Sequence, residues 1–415
     1  MRIAIVGAGV SGLVCAYLLS RDHDVVVFEA ASYAGGHTHT MPVGSGGKTY
    51  PVDTGFIVFN NHHYPGFVRL LQLLGIESQE TSMSFSVRCD HTGLEYSGTS
   101  LNTLFAQRKN IFKLPMWRML IDILRFNYQA SRIKKEMLSC VTVEEYLRAN
   151  SYGRYFQEYY LKPLGSALWS CPHESFKQFP IVFVIDFLKN HEMLKISGRS
   201  PWRVIRGGSR QYVNAICEPF EDRIRLSTPV SSIKRVDAGI QVSTESGDME
   251  KFDEVILACH ADQALNMLQE GDKDEKDILS CFPYQENDVV LHTDSSMLPQ
   301  TKRAWASWNY HIRPDITKRS TMTYDMNILQ RLDPEDEFCV TLNESDAIRP
   351  EKVLARLVYE HPVYTLEGRL MQKRREEMIR RRGISYCGAY WGFGFHEDGV
   401  RSALQVCRAF GKELD

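Results

Sequence analysis

Three glycines close to the N terminus constrain this chain more than any other feature. Gly7-Ala8-Gly9-Val10-Ser11-Gly12 lies between one apolar run, Met1 to Val6, and another, Leu13 to Leu19. A further short apolar run, Asp24 to Phe28, ends in Glu29. The pattern predicts a buried strand, a tight turn, a helix and a second strand. Gly7 makes the turn, Gly9 lets the backbone approach a pyrophosphate, and Gly12 lets the helix pack close to the strand. The helix N terminus then presents free N–H groups and a positive dipole end to the phosphates. Glu29 is placed to bond the hydroxyls of an adenosine ribose, and an acid there disfavours a 2′-phosphate.

The 415-residue chain has room for two or three domains. With 43% hydrophobic and 24% charged residues it is expected to be globular. A formal net charge of -2 argues against nucleic acid as a partner. No apolar run reaches the roughly 18 residues of a membrane span. A chain opening directly into a functional strand is expected to carry no cleaved leader. The ten cysteines show neither a CxxC nor Cys/His metal spacing. They are expected to be reduced core residues of a cytoplasmic protein, with no metal bound.

After Glu29 comes Ala34-Gly35-Gly36-His37. A glycine pair here is either a plain loop or the extension of the fingerprint found in one class of flavoproteins. Val52 to Asn60, including Thr54, Gly55 and Phe56, is expected to be a strand pair lining the same region. Tyr64 to Leu74 reads as an amphipathic helix closed by Gly75. Ser84 to Arg88 and Leu94 to Tyr96 read as a hairpin, and Ser100 to His191 as mainly helical. Arg108 to Lys135 mixes basic and aromatic residues. It is either the solvated face of a packed helix or a helix lying on an anionic membrane.

Beyond it, Gly207-Gly208 leads into a helix, Gln211 to Glu218. Short strands from Ile224 to Ala258 are expected to make a small sheet, Cys281 to Leu291 and Trp305 to Asn309 further strands, and Glu351 to Leu357 a helix. Near the C terminus a strand, Ile384 to Cys387, feeds Gly388-Ala389-Tyr390-Trp391-Gly392-Phe393-Gly394-Phe395-His396-Glu397-Asp398-Gly399. A helix is expected from Val400 to Phe410, with Asp398 as its N-cap. No second complete GxGxxG is present for a nicotinamide cofactor.

Together, Gly7-x-Gly9-x-x-Gly12, Glu29, Gly35-Gly36, Gly207-Gly208, Pro229-Val230 and the Gly388 to Gly399 block resemble the flavin-containing amine oxidase superfamily. Met83 to Val87, Trp169-Ser170-Cys171-Pro172 and Tyr390 to Gly399 further resemble the flavoprotein region preceding the methyltransferase in plant cyclopropane-fatty-acid synthases. They also resemble stand-alone bacterial NAD/FAD-binding proteins. The resemblance implies an α/β (α+β) fold with a Rossmann-like FAD-binding domain of glutathione-reductase type. That domain would comprise residues 1–80, 200–265 and 380–415. An inserted substrate domain of mixed sheet plus helices would take 81–199 and 266–379, with a helical subdomain at about 100–195. It implies non-covalent FAD, since Cys387 does not match the position of covalent linkage. Gly7, Ala8, Gly9, Ser11 and Gly12 would hold the pyrophosphate, and Glu29 and Ala30 the ribose. Gly35, Gly36 and His37 would run beside the ribityl and isoalloxazine, with Thr54, Gly55 and Phe56 alongside. Val230 would meet the adenine, and Gly388 and Ala389 the ribityl phosphate. Asp398, Gly399 and Val400 would meet the flavin pyrimidine edge.

His396 falls where amine oxidases place an aromatic cage residue. With Glu397 it is either a catalytic acid/base pair or a brace for the turn. Trp169, Trp202, Trp305, Trp308 and Trp391 either wall a lipophilic channel or pack as core. The resemblance implies hydride transfer from a lipophilic substrate, a fatty acyl chain of a lipid, to flavin. A cyclopropane-synthase-like methyltransferase is the implied protein partner. The alternatives are an amine oxidase releasing hydrogen peroxide and a non-catalytic FAD-binding accessory protein.

Overall fold

The computed structural model describes residues 1–132, 141–195, 197–313 and 319–414. Lys134 and Lys135, at the end of the basic and aromatic segment Arg108 to Lys135, lie outside the described residues. A five-stranded parallel sheet forms the base. Its order is Ile224–Arg225, Asp24–Phe28, Arg2–Val6, Glu254–Leu257, Ile384–Tyr386. Alternating side chains serve two cores. Ile3, Ile5, Val25 and Val27 pack with the fingerprint helix, Val10–Leu19, and with the last helix, His396–Arg408. Ala4, Val6, Val26 and Phe28 pack on the other face. Burial on both faces is why these strands read as unbroken apolar runs.

Glu254–Leu257 therefore belongs to the parallel sheet, next to Arg2–Val6, and does not finish the small sheet. That sheet is antiparallel: Val230–Val236, Gly239–Thr244 and Met249–Phe252. A seven-stranded sheet runs Val353–Pro362, Tyr284–His292, Cys339–Leu342, Met322–Asp325, Trp308–Ile312, Phe85–Cys89, Leu94–Ser97. In place of the helix expected at Glu351 to Leu357, a short 3-10 turn, Pro350–Lys352, leads into the ten-residue strand Val353–Pro362. Its antiparallel pairing along Tyr284–His292 overrides the local helical spacing. Helices Leu114–Arg132, Val143–Ala149, Lys162–Trp169 and Ile181–Asn190 form the helical layer.

Packing crosses the expected boundary of the substrate domain. Leu268, Ile278, Leu279, Phe282 and Met378 pack in one core with Ala4 and Val6 of the parallel sheet. Among the described residues no helix is long and apolar enough to cross a membrane.

Candidate active site

The fingerprint turn has the geometry its glycines require. Gly7 has φ +102°, and a Cβ on Gly12 would meet the Gly7 carbonyl oxygen at 1.9 Å. A Cβ on Gly9, by contrast, would meet nothing within 4 Å. Gly9 is the N-cap of the fingerprint helix, which has no side-chain cap. An uncapped helix end beside open space fits the pyrophosphate of a dinucleotide. The Glu29 carboxylate accepts from Ala8 N (2.7 Å) and Ala31 N (2.8 Å), which holds the acid at the edge of this cradle. Ala30 is exposed beside it. Thr228 N donates to Glu29 O (2.8 Å), so the segment leading to Val230 runs alongside.

The second glycine pair closes over the first. Gly9 and Gly35 form an isolated β-bridge, and a Cβ on Gly36 would lie 3.1 Å from Gly9 Cα. Both Gly35 and Gly36 have positive φ, +127° and +59°. Phe56 N donates to His37 O (2.8 Å) and Thr54 N to His39 O (2.9 Å). A Cβ on Gly55 would meet His37 O at 2.1 Å. Thr54-Gly55-Phe56 is thus laced onto His37-Thr38-His39. The His37 ring packs against His260, His361 and Tyr359, and its Nε2 lies 3.1 Å from Glu360 O. Burial, with a smaller contribution from His260, pushes the His37 pKa down to about 4.

The C-terminal block arrives at the same place. The His396 ring stacks on Phe56, with centroids 3.5 Å apart and planes 9° from parallel. Its Nε2 is hydrogen-bonded to Tyr212 Oη (2.7 Å) and Thr38 Oγ1 (3.2 Å). Burial pushes its pKa down to about 3, so the imidazole is neutral at physiological pH. Glu397 points elsewhere. Its carboxylate accepts from Gly66 N (3.0 Å) and Phe67 N (2.9 Å), capping the helix Pro65–Leu73. His396 and Glu397 therefore do not act as one acid/base dyad: adjacent residues at a helix start point in different directions.

The last helix starts at His396, earlier than the sequence suggests. Phe395 is its N-cap, and Asp398 is the third residue of the first turn, closing the helix end from there and not from the N-cap position. The Asp398 carboxylate reaches back to accept from Phe393 N (2.9 Å) and Phe395 N (3.1 Å). This early start also removes the role expected for the Gly399 amide, which already donates to Phe395 O (3.2 Å). Val400 is buried in the core shared with the fingerprint helix. Gly388 N donates to Ser402 Oγ (3.1 Å), and Ala389 opens the turn that follows.

Sequence reasoning missed Thr38, Tyr212 and Asp53. Asp53 is fully buried and ties three elements together. It accepts from Thr40 Oγ1 (2.5 Å), Ser209 N (2.9 Å) and Gln330 Nε2 (2.9 Å). The available signal was an aspartate closing the strand Lys48–Asp53. A separate cleft of about 540 Å³ lies beside Ser32 to Ala34 and Arg210, and none of the fingerprint glycines lines it. Among the described residues one cluster, His62, His63 and Glu192, has three metal-capable side chains together. Glu192 there already accepts from Lys195 Nζ and Ser200 N, both at 2.6 Å.

Comparison with known proteins agrees with this arrangement. Solved structures with the same fold include putrescine oxidase bound to putrescine (TM-score 0.68, 15% identity, covering 99% of each chain). Cyclohexylamine oxidase from Brevibacterium oxydans is similar (TM-score 0.69, 15% identity, 98% of each chain). So is a fatty acid isomerase from P. acnes that produces CLA (TM-score 0.69, 16% identity, 99% of this chain and 98% of that one). No curated protein matches the sequence. The family model described as flavin containing amine oxidoreductase matches residues 10–278. With that match spanning well over half its length, and with a cradle that fits FAD, the chain belongs to the flavin-containing amine oxidoreductase family and is an FAD-dependent oxidoreductase.

Proposed function

We propose that this oxidoreductase acts on a lipophilic substrate, a fatty acyl chain of a lipid. FAD, once bound, supplies the acceptor, at flavin N5, for a hydride removed from substrate carbon. The carrying observation is the side-chain character around the start of the last helix. Phe393 packs on Phe183 (5.0 Å between centroids), and Phe395 on Phe187 (4.7 Å). Tyr364 stacks on Phe183 (4.6 Å). This buried aromatic cluster joins the start of the last helix to the helical layer, so a substrate held along it would meet an apolar surface.

The cation at its border is Arg369, whose guanidinium lies 5.7 Å from the Phe183 ring and 5.9 Å from the Phe393 ring. Asp186, at 3.9 Å, partly balances it. A guanidinium here repels a substrate ammonium and attracts a carboxylate or phosphate headgroup. His396, stacked on Phe56, is held neutral by burial and positions the substrate end of the site without carrying charge. A neighbour in fold that is named a fatty acid isomerase supports the reading.

The second reading is oxidation of an amine with release of hydrogen peroxide. The family description and the names of two neighbours favour it. Equilibrium titration of the flavin spectrum separates the two. Long-chain fatty acids are expected to perturb the spectrum, and Arg369→Gln to weaken them about tenfold or more while leaving a neutral acyl ester unaffected. Perturbation by putrescine or cyclohexylamine alone would favour the amine reading.

A further inference from the structure

The helix Leu114–Arg132 carries two apolar stripes, and the fold uses one. Met116, Met119 and Phe126 point into the core of the helical layer. Leu114, Trp117, Ile121, Leu124 and Tyr128 are exposed and repeat at intervals of three and four residues along the opposite side. Phe112, just before the helix, is 88% exposed, and Leu114 is 81% exposed. Among the described residues, eight of the fifteen large exposed hydrophobics fall between Leu101 and Tyr128. A patch this concentrated marks a surface that something covers.

Its flanks identify the occupant. Residues 101–132 hold six basic side chains, Arg108, Lys109, Lys113, Arg118, Arg125 and Arg132, in a chain whose net charge is -2. The one acid, Asp122, is buried and faces inward, accepting from Gly153 N (2.9 Å) and pairing with Arg125 (3.0 Å). Arg118 and Arg132 follow the apolar stripe as exposed side chains, whereas Arg125 turns inward onto Asp122 and the Tyr152 ring (4.1 Å). A second copy pairing through this stripe would find arginines and no acid along the joint, where a helical partner needs opposite charges. An anionic bilayer satisfies both parts of the surface. Its acyl region takes the apolar stripe, and its headgroups take the basic flank. Arg132 lies over the Tyr128 ring at 3.9 Å, an arrangement suited to the headgroup level.

We infer that this helix docks the protein on anionic membrane, lying in the interface plane with Phe112 and Leu114 at its leading end. The helix does not cross the bilayer, and the inference does not depend on which substrate is oxidised. Co-sedimentation of the full-length flavoprotein with vesicles tests it. Vesicles of phosphatidylglycerol mixed with phosphatidylcholine are expected to bind at least ~10-fold more tightly than phosphatidylcholine alone, and raised salt to weaken binding. The triple variant Phe112→Ser, Leu114→Ser, Ile121→Ser is expected to lose binding about tenfold or more. The variant Lys109→Gln, Lys113→Gln, Arg118→Gln is expected to lose binding and salt dependence together. All these positions lie on the surface, so an unchanged flavin spectrum and melting temperature verify the fold. Equal binding to both vesicle types would overturn the inference. So would a lack of vesicle binding by a dimer that the serine variant splits, which would assign the stripe to a second copy.

Discussion

The Ser11 hydroxyl donates to the Gly399 carbonyl at 3.0 Å, joining positions 388 residues apart. A Cβ on Gly399 would lie 2.8 Å from Val10 Cγ1 and 3.0 Å from Ser11 Oγ, so the first and last helices cross where only hydrogen fits. The two glycine-rich segments at the ends of the chain therefore form one site. That contact brings His396 and Phe56 into the neighbourhood of the fingerprint turn.

The last two glycines of the fingerprint, Gly9 and Gly12, should fail in different ways. Gly9 has φ -74°, and its Cβ position is open, so Gly9→Ala is expected to fold normally without flavin. FAD affinity should fall at least ~10-fold, because the methyl group occupies the space of the pyrophosphate. Gly12→Ala meets the Gly7 carbonyl oxygen at 1.9 Å and is expected to destabilise the apoprotein itself. Apoprotein melting curves and FAD titrations of both variants check this. Equal destabilisation of the two apoproteins would contradict it.

Asp53 should make stability depend on pH. Burial pushes its pKa up from 3.8 to about 7, against the hydrogen bonds from Thr40 and Ser209. Between those values the native state keeps a proton that the unfolded chain has released. Stability contributed by this group is therefore greatest below pH 3.8, falls as pH rises toward 7, and levels off above it. The decline from pH 5 to pH 8 is expected to be about 1–3 kcal/mol in wild type and smaller in Asp53→Asn. Urea unfolding at both pH values measures the difference, and equal declines in the two proteins would remove Asp53 as its source.

Glu397 is expected to matter for stability and little for chemistry. Glu397→Ala removes two hydrogen bonds from the N terminus of Pro65–Leu73, at a cost of about 1–2 kcal/mol. The rate of flavin reduction by substrate should fall less than about tenfold, whereas loss of a general acid or base costs roughly 10²–10⁴. Rapid-mixing reduction kinetics together with thermal melts decide between the two.

Much of the cofactor cradle was legible because its signals are local. Gly7, Gly9 and Gly12 act within one turn of chain, and Asp24–Phe28 ends at the strand boundary that Glu29 suggests. What failed depended on distant partners. Glu351 to Leu357 reads as a helix in isolation, yet from Val353 onward the chain is a strand paired with Tyr284–His292. The start of the last helix was misplaced because Asp398, the residue that looks like a cap, reaches backward to Phe393 and Phe395. Tyr212 gives no local hint of its bond to His396, 184 residues away. The exposed stripe from Leu114 to Tyr128 has the periodicity of a core face, and only the fold distinguishes it from Met116, Met119 and Phe126.

The most direct test of the account is anaerobic. The purified protein is expected to show an oxidised flavin spectrum that bleaches on addition of phospholipid or free fatty acid, with the recovered acyl chain lacking two hydrogens. A flavin that stays oxidised with every lipid and bleaches with amines would contradict the lipid substrate, and a protein unable to bind FAD would contradict the whole account.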